Sequence, residues 1–210
     1  NLKKELKKLM GFEIDNYAVV DTKAVAEIID AIGGVYFDVP QDMVYNDPFQ
    51  DLNINIKKGY QLLSGEDAVK VLRFRHNYAG GDIQRIGVQQ DFFKAIAKQL
   101  LDLKNIPNMT AAIEIYNKRV ETDLKPENVA WYLTQFLNLD FNNINFMTLP
   151  GNTNGSINGA SYVFIHVDEW LEMVNTYLNP FYEQVTENHV SIKTSSDGSS
   201  LWTTAGAANY

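Results

Sequence analysis

The sequence predicts an α/β protein, and three observations lead to this prediction. A strand–helix–strand pattern with short connections spans residues 17–39. Several later segments repeat apolar residues at the 3.6-residue spacing of an amphipathic helix. The composition, 45% apolar and 12% aromatic over 210 residues, is that of a globular protein, of one domain or a small pair, that can bury a sizeable core.

The first predicted elements include both helices and strands. Residues 1–10 carry leucines at helical spacing with lysines between them, and Gly11 is suited to end that helix. Residues 17–20 read as a short strand. Asp21 is placed to cap a helix over residues 22–32, and residues 35–39 read as the next strand. A strand, helix and strand joined in this way predict a βαβ-like unit of right-handed connection.

The next segment leads to the polar part of the chain. Residues 52–56 alternate apolar side chains with asparagine, as an edge strand does, and Ser64 opens a short helix over residues 65–71. If residues 72–76 are extended, Arg73 and Arg75 point to the same side, about 7 Å apart. A two-armed clamp therefore requires the helix to end before Arg73.

The remaining elements follow from the same signals. Asp82 is expected to cap a long helix that ends near residue 103, after a glycine-rich loop over residues 77–81. The other predicted elements are helices near residues 108–116, 125–137 and 167–178, a strand over 144–149, a loop over 150–161, and a terminal hairpin of 190–194 with 201–204.

Charge and composition exclude several classes of function. The net charge is −8 and the pI is about 4.9, which argues against general nucleic-acid binding. The absence of cysteine excludes disulfides and thiolate metal sites. No apolar run approaches the length of a membrane span. The three histidines are scattered, and the glycines fit neither a dinucleotide fingerprint nor a P-loop.

Three of the four arginines lie within thirteen residues, at Arg73, Arg75 and Arg85. Guanidinium groups match phosphate oxygens well, so the cluster is typical of a phosphate or pyrophosphate site. The alternative is a structural ion-pair network in which Glu66, Asp82 and Asp91 offset the arginines; spacing alone does not decide between them.

Two further side chains belong to the same region. Gln89 lies one helical turn after Arg85, and both fall in the first turns of a helix whose N-terminus attracts anions. Asp82 could cap that helix, hold an arginine or contact a metal, and capping is the preferred interpretation. Phe92 and Phe93 are expected in the core; in a lipid-binding protein they could instead line an apolar groove that runs away from the phosphate end.

Several spaced motifs together resemble the LytR–CpsA–Psr (LCP) family. The likeness rests on LSGEDAVKVLRFRHNYAGGDIQRIGVQQDFFKAI, with GFEIDNYAVVD, IIDAIGGVYFDVP, NDPFQDLNINIKKGYQLLSG and MTLPGN in the same order. It covers residues 1–180, which it identifies as the C-terminal portion of an LCP-like catalytic domain, followed by an extension at 181–210 with the hairpin. The resemblance implies a mixed central β-sheet with helices on both faces, an α-β-α sandwich here incomplete at its N-terminus.

The resemblance also implies an activity. Family members are extracytoplasmic, membrane-anchored enzymes of mostly Gram-positive bacteria. They transfer teichoic acid, capsular polysaccharide or a similar glycopolymer from a polyprenyl-pyrophosphate carrier to peptidoglycan through a phosphodiester bond, with Mg2+. By position, Arg73, Arg75 and Arg85 correspond to pyrophosphate ligands and catalytic groups. Gln89 corresponds to a further phosphate contact, and Asp82 to an acidic residue that orients an arginine.

Two positions depart from the family pattern. Val88 stands where the family often has another arginine, and the family's metal-binding aspartates lie upstream of the matched part. We therefore expect the Mg2+ ligands and the membrane anchor outside this chain, and this piece alone could be inactive. A polyprenyl-phosphate binding module and a pyrophosphate hydrolase without transfer stay open as alternatives, whereas transcription regulation is disfavoured by the acidic charge.

Overall fold

The computed structural model describes residues 1–102, 109–195 and 201–204. The chain forms two compact units, one of residues 18–146 and one of residues 1–17 with 147–210. In the described part of the chain, seven α-helices accompany five antiparallel strand pairs. The α/β class predicted from the sequence is confirmed. The predicted division at residue 180 stays a prediction.

The described residues of the unit 18–146 form five helices and three strand pairs. Its helices are α2 (Thr22–Ala31), α3 (Gly65–Arg73), α4 (Gly81–Leu101), α5 (Met109–Arg119) and α6 (Pro126–Leu137). Its strands are β1 (Ala18–Val19), β2 (Val35–Val39), β3 (Met43–Asp47), β4 (Leu52–Ile56), β5 (Gly59–Leu63) and β6 (Glu121–Thr122). The pairs are β1–β6, β2–β5 and β3–β4.

The core of this unit follows from strand alternation. Every second side chain of β2 and β4 is buried, as the period of a half-buried strand requires. These side chains pack against one face of α3 and of α4, where Val71, Phe74 and Phe92 are buried. Asp21 caps α2 by accepting a hydrogen bond from the Ala24 N–H at 2.6 Å, as predicted.

Three expectations for this unit are wrong. The strands of the predicted βαβ unit belong to different antiparallel pairs, since β1 pairs with β6 and β2 with β5. Helix α3 includes Arg73, two residues beyond the predicted end, because Phe74 completes its apolar face and is 1% exposed. Helix α4 begins at Gly81 and its N-cap residue is Gly80, so the predicted N-cap position of Asp82 is wrong.

The helix start at Gly81 has a conformational reason. Gly81 has φ 60°, a left-handed backbone conformation that favours glycine. Its N–H donates to the Tyr78 carbonyl at 2.9 Å, and the Gly80 N–H donates to the Gln84 side chain at 2.9 Å. Gly80, Gly81 and the Gln84 side chain thus form the start of α4, where the sequence predicted a capping carboxylate.

The second unit has its own elements and core. They are α1 (Leu2–Met10), β7 (Gly151–Ile157), β8 (Ala160–Ile165), α7 (Val167–Met173) with a π-helical turn (Val174–Leu178), β9 (Lys193–Thr194) and β10 (Trp202–Thr203). Its buried cluster contains Trp170, Val174, Val190 and Ile192, against which Leu9 and other residues of α1 pack. The predicted pairing of 190–194 with 201–204 occurs as β9–β10; its connection lies outside the described residues.

Two predictions for this half of the chain are wrong. Residues 144–149 form no strand. Residues 150–161 form no long loop, because β7 and β8 pair as a hairpin around Asn158 and Gly159, both with positive φ. An Asn-Gly pair is a strong hairpin signal, and it was present in the sequence. No described helix has the length and apolar character needed to cross a membrane.

Candidate functional site

The loop between α3 and α4 is anchored by aromatic rings at alternate positions. Phe74 is buried and meets the Tyr78 ring edge-on, with centroids 5.5 Å apart. Between them, His76 stacks on Tyr45 of β3 with centroids 4.0 Å apart. Because Phe74 faces the core, the neighbouring Arg75 is directed away from it and is exposed. The loop backbone that carries Arg75 is thus held by the aromatic contacts of its neighbours.

Arg75 and Arg85 line one cavity of about 320 Å³, together with Asn77, Tyr78 and Gly81. Burial raises the pKa of the Tyr78 phenol, and the positive charge of Arg85 acts on the same pKa in the opposite direction. Two arginines from separate segments therefore converge beside the first turn of α4. The helix N-terminus adds favourable potential for an anion at this point.

Arg73 does not line this cavity. Its guanidinium donates to the Gln50 side-chain oxygen at 3.3 Å, and the Gln50 amide donates to Asp47 at 2.7 Å. The Tyr45 hydroxyl also reaches Asp47, at 3.4 Å, and burial raises its pKa, with the Asp47 charge adding to the effect. Arg73 thus belongs to a polar chain that ends on the ring supporting His76.

Gln89 joins α4 to α3. Its side-chain N–H donates to the Leu72 carbonyl oxygen at 3.1 Å. That carbonyl lies in the last turn of α3, where helix geometry leaves carbonyls without an intrahelical donor. Gln89 therefore fixes the end of α3, from which the arginine-bearing loop departs, and its amide donor is engaged there.

Two of the three carboxylates that could have offset the arginines, Glu66 and Asp91, have lysine partners. Glu66 pairs with Lys70 at 2.7 Å, and this hydrogen bond lowers the pKa of Glu66. Asp91 pairs with Lys94 at 3.0 Å. The side chain of Asp82 lies outside the described part of the structure. The Glu66 pair thus joins two residues of α3 and the Asp91 pair two residues of α4, and such local pairs contribute little to stability.

The residues around the cavity do not fit a magnesium site. Mg2+ prefers carboxylate and water oxygens, whereas the described side chains at the cavity are two arginines, an asparagine and a tyrosine. In the described part of the chain, no group of three or more histidine, aspartate or glutamate side chains could hold an ion. Two guanidinium groups would also repel a bare cation.

A second cavity of the same unit is apolar. It has a volume of about 320 Å³ and lies among α2, α4, α5 and α6, with Ile28, Leu100, Tyr116, Leu133 and Phe136 in its lining. Arg85 and Leu100 are fifteen residues apart on α4, which corresponds to about 22 Å along the helix axis. One helix therefore connects a cationic cavity near its start with an apolar cavity near its end.

Other residues of α4 pack as the core requires. Phe92 is buried, as predicted, whereas Phe93 is 49% exposed, so the prediction for Phe93 is wrong. Val88, at the position where LCP proteins often carry an arginine, is 8% exposed and packs in the core. Asn77, Tyr78 and Gln50 were not identified from the sequence as residues of this region. For Tyr78, the alternation of aromatic residues with the arginines was an available signal.

Comparison with known proteins identifies relatives of this chain. A profile of the LytR_cpsA_psr family matches residues 2–179. The cell wall biosynthesis protein LcpA of Corynebacterium glutamicum is 31% identical over 145 residues, covering 68% of this chain and 27% of that protein. The chain spans about a third of the length of the curated relatives it matches.

Solved structures share the fold. A protein of Enterococcus faecalis described as a transcriptional regulator superposes with a TM-score of 0.67 and 20% identity, over 83% of this chain and 62% of that one. A LytR-Csp2A-Psr enzyme from Actinomyces oris superposes with a TM-score of 0.50 and 20% identity, over 60% and 51% of the two chains. At these identities the likeness concerns the fold.

Proposed function

Because the chain belongs to the LytR–CpsA–Psr family, we propose that it takes part in attaching a cell-wall glycopolymer to peptidoglycan. The substrate we propose is a glycopolymer, such as teichoic acid or capsular polysaccharide, carried on a polyprenyl pyrophosphate. The reaction takes place on the outer side of the membrane. Its product is a phosphodiester between the polymer and a hydroxyl group of peptidoglycan.

The observation that carries the proposal is the convergence of Arg75 and Arg85 on one cavity. A pyrophosphate headgroup brings several negative charges, and arginine offers paired N–H donors that remain charged at any working pH. Asn77 and the Tyr78 hydroxyl add neutral hydrogen-bonding groups. The aromatic contacts of Phe74, His76 and Tyr78 hold the backbone on either side of Arg75, so less backbone entropy is lost on binding.

The apolar cavity near the end of α4 supports a lipid-linked substrate. It lies about 22 Å from Arg85 along the helix, and its lining is almost entirely hydrocarbon and aromatic. A polyprenyl tail is long and apolar, so burying it there would contribute the hydrophobic part of the affinity. A headgroup at one end of α4 and a tail toward the other match the two ends of such a carrier.

The chain's own groups would act on charge and position. In the proposed transfer, the acceptor hydroxyl oxygen bonds to the phosphorus attached to the glycopolymer, and the bond from that phosphorus to the polyprenyl phosphate breaks. The hydroxyl proton passes to solvent or the leaving phosphate. Arg75 and Arg85 would stabilise the charge on the phosphate oxygens during this exchange. Arg73 and Gln89 would act as positioning residues through Gln50 and the Leu72 carbonyl.

Magnesium remains part of the proposal through the family likeness alone. The described residues supply no ligand set for it, so no step is assigned to the ion. Its part is tested by comparing transfer with and without Mg2+ after treatment with a chelator.

Binding of farnesyl pyrophosphate, measured by calorimetry, tests the cationic cavity. Arg75→Ala and Arg85→Ala should each weaken binding by roughly tenfold, since each removes charge-assisted hydrogen bonds to phosphate. Arg119→Ala is the matched control, because Arg119 pairs with Glu27 at 2.7 Å and lies at neither cavity lining. Equal losses in all three variants would contradict the assignment.

An assay of the reaction products distinguishes transfer from hydrolysis and from binding alone. Transfer predicts a product that combines glycopolymer and peptidoglycan when both substrates are supplied. Release of free glycopolymer phosphate without an acceptor would instead indicate a hydrolase, and binding without either product would indicate a lipid-binding module.

A further inference from the structure

The lysines of the second unit are concentrated on one helix. Residues 1–17 and 147–210 contain nine acidic residues, five lysines and no arginine. Four of the five lysines lie on α1, at positions 3, 4, 7 and 8. Clustering like charges on one helix costs electrostatic free energy unless anionic groups lie nearby.

Three of these lysines line a cavity of about 400 Å³. Lys4, Lys7 and Lys8 share it with His189 and Ser191, and Glu13 is the one carboxylate among its lining residues. Glu13 pairs with Lys7 at 2.8 Å, but its side chain is 77% exposed and therefore lies toward solvent. Lys8 also pairs with Glu5 of the same helix, at 2.9 Å. Three lysines against these two carboxylates still leave a net positive charge, with several hydrogen-bond donors.

The backbone that forms this cavity is fixed at the end of α1. The last carbonyls of the helix accept hydrogen bonds from the Gly11 N–H at 2.8 Å, the Ser191 N–H at 2.7 Å and the Trp170 indole N–H at 2.7 Å. Gly11 has φ 81°, and a Cβ at this position would lie 2.6 Å from Val185. The donors therefore project from a packed frame in which the carbonyl ends are already satisfied.

His189 has a defined tautomer in this frame. The Thr186 N–H donates to His189 Nδ1 at 3.0 Å. Since Nδ1 accepts, the proton of the neutral ring is on Nε2. His189 thus offers its remaining ring nitrogen as a donor, like the lysine ammonium groups and the Ser191 hydroxyl.

We propose that the cavity lined by Lys4, Lys7, Lys8, His189 and Ser191 binds the phosphate group of a soluble phosphomonoester. Each lysine ammonium is a compact charge with three N–H donors, and several such groups can share the oxygens of one tetrahedral phosphate. The site lies in a different unit from the Arg75–Arg85 cavity. It does not depend on the activity proposed above.

A lipid surface is the less suitable source of the phosphate. A helix that lies in a membrane interface needs its apolar side free to enter the lipid. The apolar side of the last turn of α1 is already used, because Leu9 and Met10 pack against the buried cluster of their own unit, which leaves only the exposed Leu2 at the helix start.

NMR titration of the whole chain with sn-glycerol 3-phosphate tests the site. We expect saturable shifts of the Gly11 and Ser191 amide signals, and the same shifts in Arg75→Ala. The double variant Lys4→Gln/Lys8→Gln should weaken this binding by at least about fivefold. The control Lys23→Gln/Lys58→Gln removes the same charge from exposed positions of the other unit and should change it by less than about twofold.

Several outcomes would overturn the proposal. Acetate shifting the same amides with equal affinity would remove the preference for phosphate. Equal weakening in both double variants would reduce the effect to net charge. Sedimentation with phosphatidylglycerol vesicles but not with phosphatidylcholine vesicles, without binding of the soluble phosphate, would favour a lipid headgroup. If Lys4→Gln/Lys8→Gln alters the amide spectrum before titration, the single variant Lys4→Gln decides the same question.

Discussion

Replacing Gly65 by alanine should destabilise the unit of residues 18–146, because α2 and α3 approach each other at this glycine. A Cβ on Gly65 would meet the Ala26 carbonyl oxygen and lie 2.6 Å from the Ala26 carbonyl carbon. These are backbone atoms of α2, so no side-chain rotation can relieve the contact. The Gly65 N–H also donates to the Asp30 side chain at 2.7 Å, and the two helices must separate to admit a methyl group.

The magnitude follows from three effects. Overpacking against a fixed neighbour costs about 1–3 kcal/mol. Weakening the hydrogen bond to Asp30 adds about 1 kcal/mol. Alanine regains up to about 1 kcal/mol of helix propensity, and less at the first helical position. We therefore expect Gly65→Ala to lower the free energy of unfolding by about 2–3 kcal/mol, and the melting temperature by roughly 4–12 °C.

Gly87→Ala is the matched control. Gly87 lies inside α4 in the same unit, and a Cβ there would meet nothing within 4 Å. Its replacement should raise the free energy of unfolding by about 0.5–1 kcal/mol through helix propensity alone. Urea unfolding followed by circular dichroism measures both variants. If Gly65→Ala is as stable as the unmodified chain, or if both variants lose stability equally, the close approach of α2 and α3 is refuted.

Two further predictions concern a helix end and a titrating group. Gln89→Ala should cost about 1 kcal/mol in urea unfolding, since it removes the donor to the Leu72 carbonyl, whereas the exposed Gln135→Ala should change little; equal effects would contradict the capping role. The hydrogen bond from Lys57 lowers the pKa of Asp42, so its stabilisation is present above the unfolded pKa of about 4 and is lost as pH falls through the folded value. The urea midpoint should therefore fall more steeply between about pH 5 and pH 3 than in Asp42→Asn, and parallel pH profiles would exclude this contribution.

Elements with strong local signals were predictable. Strands 35–39 and 52–56 were predicted with their observed bounds, because alternation of apolar and polar side chains is a direct consequence of strand geometry. The Asp21 cap and the Pro126 helix start also agree, since each satisfies a backbone requirement within a few residues.

Elements whose formation depends on contacts with distant parts of the chain could not be predicted from the sequence. The hairpin of β7 and β8 was missed because glycine and asparagine have low strand propensity, and the pairing partner supplies the missing stabilisation. In the same way, α3 extends through Arg73 because Phe74 is buried in a core formed by residues far along the chain. Local propensity carries no information about such burial.

The sequence by itself determined which chemical groups are present near the candidate site: a cluster of arginines beside a helix start, in an acidic chain without cysteine. Only the tertiary structure decided which of them share a cavity. It directs Arg73 to Gln50 and Gln89 to the Leu72 carbonyl, while Arg75 and Arg85 line the same space. The reason is that side-chain direction depends on where a helix ends, and the packing of Phe74 sets that end.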